Sequence, residues 1–388
     1  MLYAIFFILL IMVGDVYDGS FVGHYPSVGK NKLTSNDTSI YNSDSLRADM
    51  NSNHLSFLHI LNKRSEIIAE PVSDDIKGGT IYRWNLFDGK RSILAYLGDR
   101  VWIAYMTVSH NEDFIVVATL DNDPTRLKYF SIKEKKWLWE IQDLDHYWWL
   151  GFSDNDKEII AFGNNAVYRV NAYNGVILSK TKAIHNEYSL SVHKSTGTFI
   201  SPTGKYLVIW QVQETWALLD LFRRSANKNI SVWDIEEEKI VASMSLPEKG
   251  VRTATFTSDE KNVFLGCGDE TIKLWSLEKN KIVNEIPGLA TYLVTSNKQN
   301  FLASGIMEED RLSKVKIWKY PEMTLIHTIE PYSKNYINRG RMPVNFDKTG
   351  KYFGVERDGK LYLYDTSNWE VLWSFNTDVS DSKQNSEK

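Results

Sequence analysis

The residues best equipped for chemistry are few and badly spaced for it. Gly204-Lys205 and Gly350-Lys351 look like fragments of a phosphate-binding loop, but each lacks the first glycine at the required spacing and is followed by tyrosine. Both read as hairpin turns. Asp121-Asn122-Asp123 and Asp154-Asn155-Asp156 have the oxygen density of a calcium loop without the glycine that bends it or the distal glutamate that closes it. Asx-rich turns account for them more simply. The eight histidines, at 24, 54, 59, 110, 146, 185, 193 and 327, contain no HExxH and no paired ligand spacing. No GxSxG elbow offers a nucleophile. The single cysteine, Cys267, excludes an intrachain disulfide framework and any Cys-rich zinc site, and reads as inert packing. The reading is therefore no catalytic residue, no metal and no cofactor.

Side chains suited to recognition are better represented, since Tyr, Trp and Arg dominate binding hot spots. The stretch ETWALLDLFRRSANKN carries Trp216, Phe222, Arg223 and Arg224. Trp216 with Leu219, and Leu218 with Phe222, have the spacing of a short amphipathic helix. Arg223 and Arg224 would complement its dipole, or form the basic edge of a protruding element. AIHNEYSLSVHKSTG contributes His185 and Tyr188, and EPYSKNYINRGRM contributes Tyr332, Tyr336, Arg339 and Arg341. A shorter companion holds His146 and Tyr147, followed by Trp148 and Trp149, of which at least one must enter a core.

Whatever holds these residues is a large, aromatic-rich scaffold. At roughly 150 residues per domain, 388 residues correspond to two or three domains, though single all-β domains often exceed that figure. Apolar residues at 43% are ample for a core. The formal charge of −4 gives no case for nucleic acid, which calls for a strongly basic domain. Between residues 54 and 375 the chain repeats. TIYRWNLFDGK, RLKYFSIKEKK, AVYRVNAYNG, NISVWDIEEEK, TIKLWSLEKNK, KVKIWKYPEM and KLYLYDTSNW are β-rich runs with anchors Trp84, Phe130, Val170, Trp233, Trp275, Trp318 and Tyr364. The anchors are spaced 46, 40, 63, 42, 43 and 46 apart. A second series, with Ser109, Ser153, Ser201, Thr257, Ser296 and Asp347 at equivalent turn positions, precedes them. Alternating apolar and polar residues beside each turn predict hairpins.

Four strands in about 43 residues, seven times over, is the arithmetic of an all-β, seven-bladed β-propeller of four-stranded antiparallel blades. The segment 54–375 resembles the WD-repeat propellers, with a fainter likeness to quinoprotein-type propellers. Trp233-Asp234 is an intact Trp–Asp pair and Tyr364-Asp365 a near match, whereas Trp84-Asn85, Trp275-Ser276 and Trp318-Lys319 lose the Asp. No repeat carries the family's Gly–His dipeptide. The resemblance implies one shared rim for the connections between second and third strands and between each fourth strand and the next blade. The recognition residues above fall in those connections. It also implies a non-catalytic protein- or peptide-binding scaffold. The alternative is a quinoprotein-like enzyme or carbohydrate-binding module using the axial pocket.

Outside the repeats, LYAIFFILLIMV at Leu2–Val13 is too short to span a membrane and fits the apolar core of a secretory signal. Residues 1–14 are thus a signal peptide or short anchor, and the protein is secreted or extracytoplasmic. If uncleaved, the run would attach it to a membrane. Residues 15–53 and 376–388 are polar and read as a flexible linker and tail.

Overall fold

The computed structural model describes residues 54–376 apart from 73–78, 99–100, 121–124, 145–146, 164–165, 183–195, 212–228, 246–248, 289, 297, 306–313, 331–343 and 358–359. The chain divides into residues 1–42 and 43–388, and every described residue belongs to the second unit. The expected signal, linker and all but Asn376 of the tail lie outside the described residues.

Among the described residues, 28 strands, numbered in chain order, form seven four-stranded antiparallel sheets of consecutive strands. The first strands are β1 (His54–Leu61), β5 (Trp102–Val108), β9 (Tyr147–Phe152), β13 (Thr196–Ile200), β17 (Val251–Phe256), β21 (Tyr292–Thr295) and β25 (Val344–Phe346). Each lies against the next, and β25 lies against β1, closing a ring. The third strands are β3 (Thr80–Asn85), β7 (Thr125–Ser131), β11 (Ala166–Asn171), β15 (Asn229–Asp234), β19 (Thr271–Ser276), β23 (Val315–Lys319) and β27 (Lys360–Asp365). Each carries one anchor, as the repeat spacing predicts.

The alternation expected beside every turn does not extend to the second strands. β10 (Glu158–Gly163) and β18 (Asn262–Cys267) are buried at every position after the first. A strand inside a blade has both faces against neighbouring blades, so it reads as a continuous apolar run. Outer strands show the opposite: β28 (Val371–Asn376) is exposed at nearly every position.

Seven hydrophobic clusters occupy the seven seams between blades. Each anchor sits in the seam with the preceding blade: Phe130 packs with Ile68 and Ile81 of blade 1, and Trp275 with Val208 and Val232 of blade 4. Trp84 faces Leu361 and Leu363 of blade 7. Among the described residues no strand is exchanged between the first and last blades. Side chains close the ring: Asn345 Nδ2 donates to the Leu58 carbonyl at 2.8 Å, and Asn62 Nδ2 to the Asp347 carboxylate.

Candidate functional site

The blades present two different faces. On one, the turns from first to second strand are tight and self-capped. Ser109, Ser153, Ser201, Thr257, Ser296 and Asp347 each accept, through a side-chain oxygen, the backbone N–H five residues later, at 2.6–3.1 Å. The turns after the third strands share this face. Asn85, Asn171, Asp234 and Asp365 accept from backbone N–H groups two residues on, and Ser131 and Ser276 from those three residues on. The strands flanking the other two kinds of connection end at the opposite face. Residues 183–195, 212–228 and 331–343, with every recognition residue they carry, lie outside the described residues. His185, Tyr188, Trp216, Phe222, Arg223, Arg224, Tyr332, Tyr336, Arg339 and Arg341 are among them, as are His146 and the expected helix around Trp216. Of that set Tyr147 is described, as the first residue of β9. Trp149 enters the seam of blades 3 and 4, its ring centroid 5.0 Å from Tyr105 and 5.3 Å from Phe199.

The tight-turn face holds an ionisable cluster that surrounds one mouth of the axial channel. His110, one residue after the capping Ser109, reaches blades 3 and 4. Its Nδ1 lies 2.8 Å from the Asp156 carboxylate and its Nε2 2.9 Å from the Pro202 carbonyl. The Asp156 carboxylate and the Pro202 carbonyl both accept, so it is the doubly protonated ring that satisfies both contacts at once. Asp156 also accepts from the backbone N–H groups of His110 (2.7 Å) and Asn111 (2.8 Å). The bond to Asp156 raises His110 above its ordinary value against the opposing effect of burial. Burial works to raise Asp156, but the bonds from His110 and Asn111 outweigh it and hold the carboxyl below its usual range. Lys348, at the equivalent position in blade 7, passes blade 1 and donates to the Ser109 carbonyl of blade 2. Burial lowers Lys348 to about 8 and His59 to about 4.

The same carboxylate clasp recurs around the face. Glu112 accepts from Lys63 N at 2.8 Å, and Glu260 from Thr203 N at 2.7 Å. Between blades 3 and 4 the equivalent position is Gly204, whose φ is +73° and whose added Cβ would stand 2.8 Å from the Phe152 carbonyl. No side chain fits there.

Comparison with known proteins agrees with this architecture. A chain in the crystal structure of the mitotic checkpoint complex superposes with a TM-score of 0.60 at 13% identity, covering 88% of this chain and 99% of that one. The Cps50 (Swd1) β-propeller domain of Myceliophteria thermophila superposes with a TM-score of 0.59 at 10% identity, covering 80% and 96%. In fold, this chain is a seven-bladed β-propeller similar to these two. In sequence, GID complex subunit 7 of Schizosaccharomyces pombe is 29% identical over 119 residues, which is 29% of this propeller chain and 22% of the relative. The match thus spans about a fifth of the relative's length. No protein-family model matches the chain.

The propeller's repeat grammar was visible in sequence, and the mouth cluster was not. In the sequence, His110 is a histidine without paired ligand spacing and Asp156 is part of an Asx-rich turn. The signal that could have joined them is positional. Glu112, Asp156 and Glu260 occupy the same place in aligned turns, three residues after the capping Ser or Thr.

Proposed function

We propose that this propeller is a non-catalytic platform that binds a protein or peptide through the long connections at one rim. One observation carries the reading: the tight turns leave one face closely trimmed, while the strands that flank 183–195, 212–228 and 331–343 all end at the opposite face. Those segments hold Trp216, Arg223, Tyr332, Tyr336, Arg339 and Arg341, the residue types that anchor interfaces. A scaffold held by seven packed seams displays such segments on fixed supports, which lowers the ordering cost of binding. GID complex subunit 7 is by its name a subunit of a complex, in keeping with a protein partner. The near-neutral charge argues against nucleic acid.

The test is affinity capture from native extract with the full chain and with a Trp216→Ala, Arg223→Ala, Tyr336→Ala, Arg339→Ala variant. Folding of the variant is checked by circular dichroism. A protein captured by wild type and lost from the variant is expected; identical captures, or none, contradict the rim. The proposal includes export: the mature protein is expected to lack residues 1–14 by intact mass, and their retention rejects cleavage after Gly14.

The axial cavity supports the second reading, a small-ligand module, because His59, His110, Asp347 and Lys348 converge on one mouth. Three of these side chains are committed to holding turns and blades together. The platform remains the better supported of the two.

A further inference from the structure

We propose that the axial channel binds a small anion bearing a phosphate or carboxylate group, with the Lys348 ammonium as its principal charge partner. The cavity has a volume of about 320 Å³ and is lined by residues from all seven blades. That is far above the ~10–15 Å³ that one water requires. Its lining includes Thr107, Thr255, Thr295 and Asn345, of which the Thr295 hydroxyl donates to the Phe256 carbonyl and Asn345 Nδ2 to the Leu58 carbonyl.

Lys348 is the cation available to a ligand. An ammonium has three donors, and one of them goes to the Ser109 carbonyl. The other two have no partner among the described residues, and no described carboxylate lies within ion-pair distance. His110 is fully engaged by Asp156 and Pro202. The Asp347 carboxylate lining the cavity accepts from Tyr352 N and Thr349 N of its own turn and from Asn62 Nδ2 of blade 1. Glu112 and Asp156 act on Lys348 at longer range, and each is occupied by the preceding blade's backbone N–H groups. Lys63 opposes them. A part-buried ammonium with unfilled donors is stabilised by an acceptor that brings negative charge. A compact phosphate or carboxylate supplies both. Leu150, Phe152, Val294 and Phe346 contribute apolar residues to the same lining.

This inference is independent of the rim platform. It is tested by thermal unfolding of the full chain in inorganic phosphate, acetate or chloride at matched ionic strength. Phosphate or acetate is expected to raise Tm relative to chloride, with the affinity falling about ten- to a hundredfold in Lys348→Met. Lys348→Arg is expected to keep the gain. A gain in phosphate alone that is lost in Lys348→Met identifies a phosphate-bearing ligand, and such a gain in both anions admits carboxylates. The gain should fade as pH rises through about 8, where Lys348 loses its proton. No gain in wild type, or an equal gain in Lys348→Met, overturns the proposal. Should Lys348→Met fail to fold, NMR of the wild-type chain with ¹³C-methylated lysines decides. Phosphate is expected to raise the titration midpoint of Lys348, and an unmoved midpoint refutes the site.

Discussion

His110 shows how a single side chain acquires a function from its neighbours. Its contribution is greatest as an imidazolium bridging blades 2, 3 and 4, and its folded-state value is raised. Stability from a raised histidine is complete below its unfolded value of about 6.5 and is lost as pH rises through the folded value. His110→Ala is therefore expected to cost about 1–3 kcal/mol near pH 6 in urea denaturation, and less at alkaline pH. An equal loss at both would contradict the imidazolium. Taking the difference from wild type removes His59, lowered to about 4, which makes stability rise with pH from there to about 6.5. Cys267 is the simpler case. It is fully buried, and burial pushes its thiol up to about 12. Iodoacetamide is expected to spare it in the native protein and to label it in urea; native labelling would show that blade 5 opens. The packing role of Cys267 was legible from the family resemblance, since it stands where WD repeats carry a small residue. The His110 clasp was not, because its partners are 46 and 92 residues away and meet only once blades are stacked.

Within the blade, the repeat encodes a turn oxygen more faithfully than it encodes a dipeptide. Scored by identity, Trp84-Asn85 and Trp275-Ser276 had lost the aspartate. In the structure Asn85 and Ser276 cap their turns through side-chain oxygens much as Asp234 does. Selection of an acceptor at that position leaves a weak sequence motif and a strong structural one. Strand positions were legible for the same reason, since anchors and caps recur seven and six times. The double-sided burial of second strands escaped the period-2 rule because a hairpin viewed alone has one inner face, whereas a blade has two. Gly204 tests the turn geometry directly. Gly204→Ala forces a side chain into φ +73° and against the Phe152 carbonyl, with an expected cost of about 1–3 kcal/mol by denaturant unfolding. A neutral substitution would show that the turn can shift.

For the whole molecule, the ring stands on seven comparable seams, one of them between the ends of the propeller segment. Blades 7 and 1 are the two that do not follow one another along the chain, so packing of Leu361 and Leu363 against Trp84 holds them together without a chain connection. Leu363→Ala is expected to cost about 2–5 kcal/mol and to destabilise the propeller as a unit. A change much smaller than that would mark this seam as loosely packed. Fold and ring size were legible because each blade repeats the same instruction. The proposed recognition residues were legible only as a list of residue types, since a long connection's conformation depends on its own sequence rather than on the repeat. The most direct measurement is hydrogen–deuterium exchange of the full chain with and without its captured partner. Protection concentrated in residues 183–195, 212–228 and 331–343, with the turns at Asn62–Ser65 and Ser109–Asp113 unchanged, is the outcome that supports the rim platform. Protection centred on those tight turns, with the long segments unaltered, would contradict it.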